Sequence, residues 1–396
     1  MSHSGDTVAM SVVRDAVLRV EAYLRAADYR GYDPYDALTS PLFRLPVMKS
    51  SKIIRWGSQQ VVKRLPVNIR PLLGIRGRLN PVTLGLCIQA YTALAAAMPE
   101  RKDALVQEIR RCIGMLKDLQ SKGFSGACWG YDFDWEARYA CFPAYTPTVV
   151  ATGFITNALF QAQERLGVNE AGDLCVSAAQ FVLKDLRRTE ADGTFCFSYS
   201  PIDSNVVLNA TMKGARLLSQ VFTLTGDQSL VDTAERTVRF VVHHQQHNGA
   251  WAYALGDTRS WADNFHTGYV LDCLDEFIQR TGHVEFRPAL EAGFRYYKAH
   301  FFVDNAVPKY YDYQMYPIDS TAAAQSILTL TRFGATDTAN GVAGWMIRNM
   351  QHRRGYFYYQ KSRRYTVRIP YARWSNAWMF LALSTLLERS QCTGST

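Results

Sequence analysis

Acids, phenols, guanidinium groups and one well-placed histidine gather in a few short stretches of this sequence. The stretch after Gly126 reads CWGYDFDWEARYACFPAYTP and sets Trp129, Tyr131, Asp132, Asp134, Trp135, Glu136, Arg138, Tyr139 and Tyr145 within a few turns of chain. Aromatic faces stack on the C–H surfaces of a pyranose and carboxylates accept from its hydroxyls, so this composition suits a sugar-binding wall. The plainer alternative is a surface loop held by its own aromatics. A second stretch, WAYALGDTRSWADNFHTGY, carries Trp251, Tyr253, Asn264 and His266 behind Asp263. Asp263 has the chemistry of a helix N-cap. His266, one turn further on, titrates in the range that acid–base catalysis needs. The nearby run His243, His244 and His247 looks like a metal tract, but histidines at a helix C-terminus explain it better.

Two later stretches are rich in tyrosine. KYYDYQMYPIDS holds Tyr310, Tyr313, Tyr316 and Asp319, and YFYYQKSRRYTVRIPYARWSNAW holds Tyr359, Arg364, Tyr365, Arg368, Arg373 and Trp374. Arginine forks fit carboxylates and phosphates, and a phenol beside them becomes more acidic. Alternating Tyr and Arg also suits single-stranded nucleic acid. No RNA-binding fold signature accompanies it, so no nucleic-acid partner is expected. GxGxxG after a strand, GxxxxGK[ST], HExxH and GxSxG do not occur, which removes support for dinucleotide, P-loop, zincin and α/β-hydrolase readings. No cofactor and no metal centre is expected.

What positions these stretches is a repeat. An amphipathic helix leads into Gly or a close substitute with alternating aromatics, then a polar loop, then a more apolar helix. The aromatic signatures are anchored at positions 126, 193, 249, 306 and 355, with a weaker sixth copy, RGYDPYD, from Arg30. Periodicity predicts outer helices over 10–28, 102–121, 172–189, 228–246, 285–301 and 336–351, and inner helices over 80–98, 147–166, 205–224, 264–281, 319–333 and 374–389. Asn80, Thr146, Ser204 or Asn205, Asp263 and Asp319 are the expected N-caps. Six such hairpins predict an all-α protein, an (α/α)6 toroid with short β-like aromatic segments before the inner helices. The whole of 1–396 is read as one toroid domain. Parallel inner helices would bring their N-termini, with their partial positive charge, to one polar and aromatic mouth.

Of the 396 residues 48% are hydrophobic, 20% charged and 13% aromatic, which describes a globular core, and the net charge is +9. The charge is uneven. Between Ala37 and Pro99 there is no Asp or Glu but nine Lys or Arg, and a second acid-free stretch runs from Arg354 to Leu387. Such surfaces favour an anionic partner. Residues 37–79 form a basic insertion between the first outer and inner helices. Within it KIIRWGSQQVVKRL reads as a basic amphipathic helix that either lies on an anionic membrane or packs on the ring with a solvated basic face. The eight cysteines show no CxxC pair and read as reduced core thiols. The first residues lack an apolar signal-peptide run and no window is long enough to span a bilayer, so a cytoplasmic protein, peripheral at the inner membrane if that helix docks, is expected.

GYDPYDALTSPLF, RLPVNIRPLLGI and IPYARWSNAWM resemble stretches of the α/α-toroid proteins of bacterial exopolysaccharide biosynthesis clusters, the prenyltransferase or squalene-cyclase-like repeat fold. YTVRIPYARWSNAW is also similar to the Tyr/Arg-rich segment with an ARW triplet in the toroid domain of glucuronyl C5-epimerases. These resemblances imply an acidic polysaccharide or lipid-linked oligosaccharide as partner, with tyrosines moving a proton at a uronate carbon and arginines holding the carboxylate. The expected activity is therefore C5 proton abstraction on an acidic glycan, by an epimerase or lyase. His266, Tyr313, Tyr359, Tyr365, Glu136 and Asp134 are the catalytic candidates. Trp129, Tyr131, Asp132, Arg138, Tyr145, Trp251, Tyr253, Asn264, Tyr310, Tyr316, Asp319, Arg364, Arg368, Arg373 and Trp374 are the substrate-binding candidates. Three alternatives stand beside it: a glycoside hydrolase using two acids from Asp132, Asp134, Glu136 and Asp319, a terpenoid cyclase or prenyltransferase-like enzyme, and a non-catalytic glycan-binding scaffold.

Overall fold

A computed structural model describes residues 8–137, 140–256 and 258–393, without the side chains of Cys392 and Thr393. Among these residues the helices are α1 Met10–Ala26, α2 Pro46–Ser50, α3 Lys52–Arg64, α4 Pro81–Ala97, α5 Lys102–Asp118, α6 Val149–Leu166, α7 Asn169–Lys184, α8 Leu208–Thr225, α9 Gln228–His243, α10 Asn264–Thr281, α11 Arg287–His300, α12 Ser320–Arg332, α13 Thr336–Met350 and α14 Trp378–Thr393. Helices α4, α6, α8, α10, α12 and α14 form a closed inner ring: each packs on the next, and α14 returns to α4. Outside them α5 lies on α4, α7 on α6, α9 on α8, α11 on α10, α13 on α12 and α1 on α14. The chain is an all-α, (α/α)6 toroid.

Composition explains which helices go inside. Fifteen of the seventeen residues of α4 are buried, because its run of Leu, Ile, Ala and Val has no polar stripe. In α5 only Leu105, Glu108, Ile109, Cys112, Ile113 and Leu116 are buried, one face of an amphipathic helix. Short antiparallel pairs precede the inner helices, among them Trp135–Glu136 with Cys141–Phe142 and Arg188–Ala191 with Thr194–Phe197. Ile318–Asp319 joins Gln360–Lys361 and Thr366–Val367 in a three-stranded sheet.

Asn80, Asp263 and Asp319 cap α4, α10 and α12 through their side-chain oxygens. Two caps differ from expectation. Thr148, two residues beyond Thr146, caps α6 by accepting from the Ala151 amide. For α8, Ser204 and Asn205 give way to Val207, and the Leu208 amide donates to the Tyr253 carbonyl instead. The polar residues there close a turn, with Asp203 accepting from the Tyr199 and Asn205 amides.

The 37–79 insertion leaves and rejoins the ring through a two-residue antiparallel pair, Arg30–Gly31 with Arg78–Leu79. Buried Arg70 braces it from within, 2.7 Å from Asp36. Six cysteines are buried as free thiols, and burial pushes that of Cys112 up to about 12. Cys141 departs from the core-thiol expectation, being exposed on its short strand. Cys392 falls outside the described side chains. No helix among the described residues is long and apolar enough to cross a membrane.

Three signature glycines, Gly126, Gly249 and Gly355, bring the loop necks against the outer helices. Gly249 has φ +93°, and a Cβ on it would stand 2.5 Å from the carbonyl oxygen of Ala292 in α11. Gly193 has φ +75° with open space around it. Gly249→Ala is therefore expected to cost at least about 1 kcal/mol more than Gly193→Ala, because both carry the backbone strain but only one meets a carbonyl. Equal losses in thermal or denaturant unfolding would remove the close approach as the reason for glycine there.

Candidate functional site

Where the N-terminal ends of the inner helices converge, a cavity of about 380 Å³ opens. Val150 and Phe154 of α6, Asn209 of α8, Phe265, His266 and Tyr269 of α10 and Trp378 of α14 line it, together with the loops before them. Sixteen of its thirty lining residues are aromatic. Tyr253 stacks on Trp261 at 5.4 Å and Trp135 on Phe142 at 5.1 Å, so opposing walls offer flat ring faces.

The polar centre is a His–Asp pair. Asp263 accepts from the His266 amide at 3.0 Å as N-cap, and its other oxygen lies 2.6 Å from His266 Nδ1. Trp261 Nε1 donates to that same oxygen at 3.2 Å. With Nδ1 committed to the carboxylate, Nε2 carries no hydrogen bond from the described residues and is the nitrogen left for a ligand. The rings of Phe265 and Tyr253 lie 4.2 and 4.5 Å from the imidazole and fix its plane. The loop of Tyr310 and Tyr311 is tied to the same helix end, the Asn264 amide donating to the Tyr310 carbonyl at 2.9 Å.

Across the mouth, Arg373 and Trp374 sit on a π-helical turn, Ala372–Ala377, that leads into α14. Such wide turns re-aim side chains at a helix end. Buried Arg373 donates through Nε to Asp33 at 2.7 Å and stacks over the rings of Tyr131 and Trp374. Glu136 is held by Arg55 of α3 at 2.7 Å. Buried Asn209 Nδ2 and Trp374 Nε1 have no hydrogen-bond partner among the described residues. Both atoms belong to cavity-lining residues but are themselves shielded from solvent.

Of the residues singled out from sequence, Glu136, His266, Tyr131, Tyr253, Tyr310, Arg373 and Trp374 line this cavity together. The others go elsewhere, for identifiable reasons. Trp129 and Trp251 are equivalent positions of the repeat, and each donates its indole N–H into the end of the preceding outer helix, to Leu116 and Val241. They staple the hairpin. Asp132 is buried against Asn80 and Arg78, and Asp319 spends both oxygens on the α12 cap and Gln360. Asn264 is buried and bonded to Lys309, Tyr297 and Ser326. Asp134 is exposed and accepts from the Ala144 amide. Tyr145 and Tyr365 are exposed, and Tyr313 is exposed and stacked outside Tyr311. Tyr316 packs half-buried against the core. Arg364 and Arg368 are exposed. Tyr359 is buried against Tyr371, Val367 and Ile369. Arg138 lies outside the described residues.

Burial pushes Tyr359, Tyr310 and Tyr253 up from their ordinary range, the reverse of what proton transfer by tyrosine needs. Sequence reasoning also missed residues that do line the site: Tyr35, Trp56, Gln60 and Lys63 from the insertion, and Asn209, Trp261 and Tyr269. Asn209 and Tyr269, early in their helices, were open to the same one-turn-inside rule that found His266.

Glu235, His283 and Glu285 are the one group of three or more potential metal ligands among the described residues, and none of them lines the cavity.

The fold recurs in solved structures. At 11% identity, over 95% of each chain and with a TM-score of 0.61, the chain is similar to an unsaturated glucuronyl hydrolase from Bacillus sp. GL1, responsible for glycosaminoglycan degradation. It is similar to a cellobiose 2-epimerase from Bacillus thermoamylovorans at 12% identity, covering 77% of this chain and 87% of that one, TM-score 0.60. A GH76 α-mannanase from Bacteroides thetaiotaomicron matches at 10% identity over 79% and 87%, TM-score 0.60. At these identities the likeness is one of fold. No protein-family model matches the sequence, nor does any curated protein.

Beneath the cavity, Phe154, Tyr269 and Trp378 close the ring axis with centroids 5.0–5.7 Å apart. Lys213 of α8 lies behind them, fully buried, its Nζ 3.8 Å from the centres of both Phe154 and Tyr269 and without a hydrogen-bond partner among the described residues. Burial pushes its ammonium down to about 7, while the two ring faces favour the charge. A lysine lowered on folding loses stability as pH falls from its unfolded value near 10.5 towards 7, and the penalty is constant below that. Lys213→Met is thus expected to gain about 3 kcal/mol over the native chain at pH 6.5 and much less at pH 9.5. A gain independent of pH in denaturant unfolding would mean the amine stays charged in the fold at both values.

Proposed function

We propose that the chain is a carbohydrate-active enzyme that acts on a uronate-containing glycan by removing the proton at C5, as an epimerase or lyase of polysaccharide biosynthesis. The observation that carries this reading is the Asp263–His266 pair in an aromatic cavity, with buried Arg373 lining the same walls. Flat ring faces suit pyranose stacking. His266 Nε2 takes the C5 proton as its Nδ1–H is held by Asp263, which stabilises the imidazolium that forms. The electron pair left on C5 delocalises into the carboxylate, where Arg373 neutralises the growing charge. Return of a proton to the opposite face gives the epimer, and expulsion of the O4 substituent gives a C4–C5 double bond.

Three further points favour this over the alternatives. Glu136 and Asp263 are the two carboxylates among the cavity-lining residues, and both are engaged, by Arg55 and by His266, which argues against hydrolysis by paired acids. The polar groups around His266 also fit a sugar better than an isoprenoid. Several proteins of similar fold bear the names of sugar epimerases and a glucuronyl hydrolase.

Incubation with uronate-containing glycans in deuterated water tests it. Deuterium at C5 without cleavage is expected for an epimerase, and an unsaturated end for a lyase. His266→Ala is expected to lower turnover on the order of 10²-fold or more. Asp263→Asn separates chemistry from structure, since Asn still caps a helix: its stability stays within about 1 kcal/mol while turnover falls at least tenfold. Hydrolysis without deuterium incorporation, or full turnover in the His266 variant, would overturn the reading.

A further inference from the structure

The excursion from Pro41 to Leu72 has a surface unlike the rest of the molecule. Eight of the seventeen exposed large hydrophobic side chains among the described residues fall within it. Val47 is 72% exposed, Ile53 82% and Leu72 87%, and Leu45, Val61 and Val67 are more than half exposed. A folded chain rarely leaves so many apolar tips together in water without a partner for them.

The other side of the excursion is fixed. Val62 and Gln59 of α3 are buried, Arg55 is paired with Glu136, and the Gln59 side chain accepts from the Glu136 amide at 3.1 Å. Trp56, Gln60 and Lys63 of the same helix line the cavity. Ile53 and Val61 therefore sit on a helix that is braced at the mouth.

Charge decides what they meet. From Ala37 to Pro99 there is no acid, and Arg44, Lys49, Arg64 and Arg76 are exposed and in no ion pair among the described residues. A second copy would set these cations against identical cations with no carboxylate in the segment to meet them. An anionic bilayer takes both features at once, the cations at its headgroups and the apolar tips about 5–10 Å into the acyl boundary.

We propose that residues 41–76 form a membrane-docking face that seats on an anionic phospholipid surface and holds the cavity mouth against it. A mouth so held receives a saccharide that is itself carried on a membrane lipid. That consequence rests on the sugar reading given above, whereas the docking does not.

Co-sedimentation of the full chain with vesicles of phosphatidylcholine alone, or of equal parts phosphatidylcholine and phosphatidylglycerol, tests the face without any glycan present. Binding to the anionic vesicles is expected to exceed binding to the neutral ones at least tenfold and to weaken in high salt. The double variant Ile53→Asp, Leu72→Asp changes two exposed side chains outside the cavity, so it is expected to keep the native melting temperature and lose at least tenfold in vesicle binding. Absence of binding, equal binding to neutral vesicles, or unchanged binding of a folded double variant would each overturn the proposal. So would a dimer seen by light scattering that the double variant abolishes, because that would assign the face to a second copy. Loss of vesicle binding with deuterium exchange intact separates failure of the docking from failure of the activity.

Discussion

Closure of the inner ring is the constraint on which everything else rests. A helix as apolar as α4 has no face that water tolerates, and it is stable only with helices on every side; the neighbours α14, α6 and α5 supply them. Because each hairpin runs outer helix, loop, inner helix, closure forces all six inner helices to point the same way. Their N-termini, with unsatisfied amides and partial positive charge, then meet at one rim. The connecting loops have no other place to go. A site made of residues as distant as Asp33, Glu136, His266 and Arg373 follows from that geometry.

Closure also leaves an axis, and the molecule fills it unevenly. At the mouth the axis is aromatic. At its midpoint Phe154, Tyr269 and Trp378, one from each of three inner helices, close it, with Lys213 from a fourth held between two ring faces. At the far end lies a second cavity of about 390 Å³ in which Arg332 pairs with Asp275 and Glu276, and Arg165 with Glu388. The charges around Glu276 hold its carboxyl down at about 2, so this end behaves as a fixed network. The mouth differs: its aromatic walls surround the Asp263–His266 pair, and His266 Nε2 carries no hydrogen bond from the described residues. The far end is a network of paired charges, and the mouth keeps one ring nitrogen without a partner among the described residues.

Much of the ring was legible in the sequence because its signals are additive. Apolar periodicity over seventeen or eighteen residues, an Asp or Asn before the run and a Gly before the aromatics each act locally, and closure repeats them. Asp263 before His266 was read as a cap, and the structure shows the same residue also holding the His266 ring, so the helix start led to the pair. The signature tryptophans misled for the same reason. Trp129 and Trp251 share their positions in the repeat, and repetition is the mark of a structural duty: an indole N–H that closes the end of an outer helix. The tyrosine-rich loops misled differently. Tyr310 and Tyr311 both line the cavity, whereas Tyr313 falls in the tight turn closed by the Tyr311–Gln314 bridge and stacks on Tyr311 from outside, and Tyr359 turns into a small core of its own. No pattern within a loop separates these outcomes, because the path of the turn decides which ring faces inward.

The contribution of the insertion was hidden in its chemistry. A basic amphipathic helix has two sides, and sequence sets the choice as membrane or ring. The structure secures one side of α3 to the ring through Val62, Gln59 and Arg55, while Ile53 and Val61 face outward. The inward attachment is polar and specific, built on a single guanidinium–carboxylate pair at Glu136 that also orients a cavity wall. Such a pair is worth most where water is excluded. Covering of the outer face would exclude it from the mouth as well. The residues that shape the wall and the exposed apolar residues are thus two faces of one helix, so any cover on the outer face would bear on the electrostatics of the wall.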